Sequence, residues 1–185
     1  MTRYALPILF TCVGLLTGCA TGYVAPQAGP TAKLRVISLK PNNNRITVGS
    51  DPTCVTPDAP RIATLGVNAN AVRNAGAGSR VGVPLPSDEL PKQTTEALIP
   101  AGKLFVLQGS AVSVGGFIPP YTFMYNYCRA ALAFNPVEGG AYEAVFDQSS
   151  PSSCTFTLSQ FTQEQGATWR RTPLPDTKVV YHACR

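Results

Sequence analysis

The chain has 185 residues, a net charge of +5 and only 14% charged side chains, which leaves room for one domain burying on the order of 70% of its unfolded surface. Seventeen prolines and sixteen glycines exclude long helices and predict a turn-rich β protein, because both residues interrupt helices and punctuate short strands. Basic residues are scattered, with only Arg170 and Arg171 adjoining and no basic run interleaved with aromatics, so a nucleic-acid footprint is not expected.

At the N-terminus, Met1-Thr2-Arg3 is a short positive leader, and residues 4–16 form an apolar segment broken only by Pro7, Thr11 and Gly14. Such a segment is too short to span a bilayer but suits the hydrophobic region of a secretory signal. It ends in Leu16-Thr17-Gly18-Cys19, which resembles the lipobox of bacterial lipoproteins. The resemblance implies a signal peptide over 1–18 and cleavage before Cys19. Cys19 then carries a thioether-linked diacylglycerol and an acylated amine, and the membrane is a partner through this anchor alone. Each buried methylene adds about 0.8 kcal/mol, so several chains together hold without a transmembrane helix. Ala20, where an aspartate would favour retention at the inner membrane, implies the outer membrane of the cell envelope. Removing eighteen residues, Arg3 among them, leaves 167 with 14 basic against 10 acidic side chains.

Of the six cysteines, Cys12 leaves with the signal and Cys19 is lipidated. The even remainder, Cys54, Cys128, Cys154 and Cys184, predicts two disulfides in an oxidising compartment. No CxxC pair is present and His182 is the lone histidine, so no metal, redox centre or other cofactor is expected.

Residues 19–31, rich in Gly, Pro, Ala and Thr, read as the lipidated N-terminus and a flexible tether. The domain then occupies 32–185. Alternation predicts a strand over 32–39, the turn Pro41-Asn42-Asn43-Asn44, and a returning hairpin strand over 45–48. Cys54, between Pro52 and Pro57, falls in a loop pinned by its disulfide. A short strand is expected over 61–67. Residues 68–92 lack periodicity and read as a mobile loop. Strands over 94–99 and 103–114 are expected to join at a tight turn through Pro100-Ala101-Gly102.

Residues 121–134 form the longest strand candidate, with a bend or bulge near Cys128 or Arg129. Residues 136–140 supply a hairpin turn into a strand over 141–147. Residues 148–153 form a loop, and strands over 154–158 and 178–184 complete the domain, the last preceded by the punctuating Thr172-Pro173-Leu174-Pro175. Cys128, Ala130, Leu132 and Phe134 share one face, as do Cys154, Phe156 and Leu158, so both cysteines point inward. In a meander they lie at one end of the sheet with strand 141–147 between them. The expected pairings are therefore Cys128 with Cys154 and Cys54 with Cys184. The stretch from Cys128 through Phe134, Pro136, Gly139-Gly140 and Tyr142 to Cys154 is similar to small β-sandwich lipoproteins of unknown function from Gram-negative bacteria. That resemblance implies a single antiparallel β-sandwich, immunoglobulin-like or transthyretin-like, stapled by disulfides, and it transfers no catalytic residues.

Catalysis has weak candidates. His182 lacks a preceding Gly-x-Ser-x-Gly elbow, and Asp88-Glu89, Glu138, Glu143 and Asp147 show no convergence across a cleft. The sharper signal is Tyr121, Phe123, Tyr125 and Tyr127, four rings on alternate residues opposite the Cys128 face. Exposed, they could stack on a glycan or receive a peptide strand of an envelope protein. A bulge reversing the parity, or cover from another segment, would instead make them core. The expected protein is thus a non-enzymatic, membrane-anchored binding or assembly module of the envelope. A cell-wall-acting enzyme and an inhibitor of a host enzyme are the alternatives; the net positive charge argues against inhibiting lysozyme, a target that is itself basic.

Overall fold

The computed structural model describes residues 22–40, 43–54, 59–65, 80–84, 94–118, 120, 122–164 and 168–175. The lipobox, Cys12, Cys19, Tyr121, Asp88-Glu89, and the expected terminal strand with His182 and Cys184 lie outside these residues. Among them there is no helix, and nine strands form two sheets packed together. The strands are β1 (Thr31–Ser38), β2 (Asn43–Gly49), β3 (Arg61–Leu65), β4 (Thr94–Pro100), β5 (Phe105–Ile118), β6 (Thr122–Phe134), β7 (Ala141–Ser150), β8 (Ser153–Gln163) and β9 (Trp169–Leu174). One sheet runs β4-β1-β7-β8-β9 and the other β3-β2-β5-β6.

Alternation puts Leu34, Leu107, Leu132, Phe146 and Phe156 into one core between the sheets. Phe146 and Phe156 meet there with ring centroids 5.0 Å apart. Gly109 makes room for them, since a Cβ at that position would collide with both rings. Cys128 of β6 and Cys154 of β8 are bonded. The pairing is the expected one, but its setting differs. β6 belongs to the four-stranded sheet and β7 and β8 to the other, so the bond crosses the core between sheets and does not span a meander.

Three expected hairpins or turns are corrected in the same way. β2 pairs with β3 and β5, not with β1, and the links β4 to β5 and β6 to β7 pass from one sheet to the other. Alternation encodes which side of a strand is apolar but not which neighbour it will pair with. The sheet is also not wholly antiparallel, because β1 runs parallel to β7. The irregularity expected near Cys128 lies instead on the partner strand, between Val114 and Gly116. The loop expected over 148–153 shrinks to Pro151 and Ser152, since β7 reaches Ser150 and β8 begins at Ser153. Residues 172–174 do not punctuate the chain but belong to β9. Pro173 is tolerated there because β9 is an edge strand, where a missing N–H costs no ladder bond.

Two segments expected to be loose are docked where they are described. Gly22 bridges to Arg61, the Tyr23 N–H donates to the Arg61 carbonyl at 2.8 Å, and the Tyr23 hydroxyl donates to the Leu98 carbonyl at 2.9 Å. The Tyr23 ring also meets Phe105 edge-on at 6.5 Å, and burial pushes its phenol up to about 12. The tether expected over 19–31 is therefore held against the domain from Gly22 onward, because an aromatic ring offers enough apolar area to offset the entropy of ordering it. Within the expected mobile loop, residues 80–84 lie over the outer face of the five-stranded sheet, with Val83 buried.

Candidate interaction surface

β5 and β6 are longer than their neighbours. Among the described residues β2 covers β5 only from Val106 to Val112, and beyond Val112 the β5 and β6 strands continue as a ribbon of two described strands reaching its turn at Pro120. The inward face of β6 is set by Cys128, Ala130 and Leu132, all buried. Strand alternation then turns Phe123, Tyr125 and Tyr127 outward, and they are 55%, 52% and 61% exposed. No parity reversal buries them, because the irregularity falls on β5.

Residues directly opposite across a strand pair share a face. On β5 the partners of the three rings are Phe117, Val114 and Val112. The Phe117 and Phe123 rings meet at 5.2 Å, and Phe117 and Val114 are themselves 52% and 65% exposed. The ladder read from β6 alone is thus one half of a wider apolar face, whose β5 half carries no aromatic repeat that sequence periodicity would reveal. No charged side chain lies on the ribbon between Val112 and Tyr127; Arg129, paired with Ser110, marks its lower border. Met124, on the opposite side, is also half exposed.

A second cluster went unseen in the sequence. Glu96, Arg35 and Glu143 stand in register on β4, β1 and β7. Arg35 donates to Glu96 Oε1 through Nε at 3.1 Å and Nη2 at 2.9 Å, and through Nη1 to Glu143 Oε2 at 3.2 Å. Its remaining donors reach the Val83 and Pro84 carbonyls, and Arg171 of β9 pairs with Glu143 Oε1 at 2.9 Å. Gly82, at φ +77°, turns three successive N–H groups, of Val81, Gly82 and Val83, onto Glu96 Oε2. This is the nest geometry that holds an anion. Burial alone would raise the Glu96 carboxyl, but the Val81 N–H, the Arg35 guanidinium and the Val83 N–H hold it below its ordinary value. A carboxylate so held stays an acceptor and is poorly suited to donate a proton. The cluster clamps residues 81–84 to the sheet.

The other expected site residues do not converge with it. Glu138 is exposed in the turn before β7, and Asp147 lies further along β7. Cys54 is disulfide-bonded, and its expected partner Cys184 lies outside the described residues. A cleft of about 600 Å³ opens at the base of the domain between residues 23–30 and the start of β5, and among the described residues Lys103 and Tyr23 are its ionisable lining groups.

The described residues thus form an all-β domain of two packed sheets with an exposed aromatic surface on one strand pair. Comparison with protein-family models, with curated proteins and with solved structures yields no match.

Proposed function

We propose that this chain is an envelope lipoprotein, anchored through Cys19 in the outer membrane, and that its domain is a non-enzymatic binding or assembly module working through the outer face of the β5–β6 ribbon. The observation that carries the reading is the exposure of Phe123, Tyr125 and Tyr127 on a ribbon free of charge. Monomeric proteins rarely leave contiguous apolar patches of this kind open to water without a use for them. Aromatic rings on a strand pair also lose little entropy on binding.

Gly22 and Tyr23 dock beside Arg61 and Phe105, at the end of β5 remote from the ribbon turn. A lipid on Cys19, three residues before Gly22, then lies within about 10 Å of that base. The ribbon would project from the bilayer at the far end of a strand of roughly 40 Å. An enzyme draws less support, since the two carboxylates that do converge, Glu96 and Glu143, are already engaged by Arg35 and Arg171.

The sandwich is read as transthyretin-like. β1 and β2 lie in different sheets, whereas an immunoglobulin domain keeps its first two strands in one sheet. The second disulfide is assigned to Cys54 and Cys184.

The test uses the full-length chain with Tyr125→Ala. Capture of envelope protein or glycan should fall while the melting temperature holds. Unchanged capture, or a large loss of melting temperature in the monomeric chain, would overturn the reading.

A further inference from the structure

The ribbon face is complementary to itself. We propose that its occupant is a second copy of this chain, packed outer face to outer face about a two-fold axis running along the strands; this rests on the reading of the ribbon as the working surface.

Three observations lead there. The first is register. A two-fold along the strands, placed between β5 and β6, lays each copy's β6 over the other's β5 at the same height. Tyr127 then covers the other copy's Val112, Tyr125 covers its Val114 and Phe123 covers its Phe117, because these are the pairs already level within one chain. Bulky side chains meet small ones at two of the three steps, the interdigitation that two stacked sheets need at about 10 Å separation.

The second is charge and area. The face is uncharged between Val112 and Tyr127; Arg129 and Arg45, in one row with Ser110, mark its lower border and set the limit to which the two copies can close. Aromatic side chains bury about 200 Å² each; at exposures of 52–65% the ribbon offers roughly 600 Å² per copy, at the lower edge of a stable interface.

The third is the anchor. Pairing two β6 edges antiparallel within one sheet would reverse one copy, sending the two docked N-terminal segments to opposite ends. A two-fold along the strands leaves both Gly22 positions at the same end, so both copies can be held by one membrane. A closed two-fold contact of this kind also stops at two copies.

The experiment uses two differently tagged full-length chains expressed together, one carrying Val114→Cys and the other Tyr125→Cys, treated in intact membranes with a short bis-maleimide. Most of the tagged pair should run as a cross-linked dimer. Replacing Val114→Cys by Val137→Cys, exposed near the base of the domain, should abolish it. Absence of the cross-link, or an equal cross-link with the Val137 variant, overturns the second copy as occupant. The surface itself is judged separately. If the cross-link is absent while Tyr125→Ala still loses envelope protein or glycan, the ribbon binds a foreign partner. If Tyr125→Cys lowers the melting temperature sharply at dilutions where the wild type is monomeric, the rings pack within the chain and both readings fall.

Discussion

Arg35 of β1 and Glu96 of β4 face each other in register, Nη2 2.9 Å from Oε1, with both side chains almost wholly withdrawn from water. The pair does more than join two strands, because the other Glu96 oxygen holds the N–H groups of Val81, Gly82 and Val83. Protonating Glu96 should therefore release that segment. Its folded pKa lies below the ordinary value of 4.5, so the stabilisation is complete above that value and is lost as pH falls through the folded one. Hydrogen exchange at the three amides should be slow near neutral pH and accelerate in acid, and Glu96→Gln should flatten the dependence. Equal acid sensitivity in Glu96→Gln would remove Glu96 as the cause. Glu96→Ala, which leaves Arg35 buried with a partner missing, should cost about 3 kcal/mol or more.

Ring position should separate surface from core in a melting experiment. Tyr125→Ala, on the exposed ribbon, should stay within about 0.5 kcal/mol of the wild type. Phe146→Ala, at the centre of the core, should cost about 3 to 5 kcal/mol. With both compared at dilutions where the chain is monomeric, a comparable loss would show that the ribbon is covered within its own chain.

Reducing the bond between Cys128 and Cys154 opens a loop closed across a sequence separation of 26. In the chain-entropy model this loses about 3.5 kcal/mol. Non-reducing peptide mapping should recover Cys128 with Cys154 and, as a separate species, Cys54 with Cys184. A fragment joining Cys54 to Cys19 would sink the second assignment and the lipid anchor with it.

Docking of the N-terminal segment should respond to alkali. The Tyr23 phenol is neutral in the fold and pushed up to about 12 from an ordinary value of 10.0. Its contribution is full below the ordinary value and disappears as pH rises through the folded one. Tyr23→Phe should cost about 1 kcal/mol through the lost bond to Leu98. Exchange at residues 22–24 should report it. If those amides exchange freely at neutral pH in the wild type, the docking is too weak to position an anchor.

Cys19→Ser should leave the chain unprocessed or soluble. Membrane partition of Cys19→Ser at the same mass as the processed wild type would remove the lipid anchor from the reading.

Much of the local structure follows from the chain alone. Alternation places the strands, and parity points Cys128 and Cys154 inward and Phe123, Tyr125 and Tyr127 outward, because a strand's period of two acts within a few residues and needs no knowledge of neighbours. The aromatic half of the ribbon face was legible for that reason. Its Val112, Val114 and Phe117 half was not, since it depends on the pairing of β5 with β6 and on the shift in register after Val114. The tertiary structure alone decides which sheet each strand joins, and that choice turns a supposed meander into a bond across the core. It also assembles Glu96, Arg35 and Glu143, whose contacts span 61 and 108 residues of sequence. The physical reason is common to these cases: apolar periodicity records only whether a side chain meets water, whereas register and sheet membership are settled by long-range backbone pairing and by what is left to cover each face.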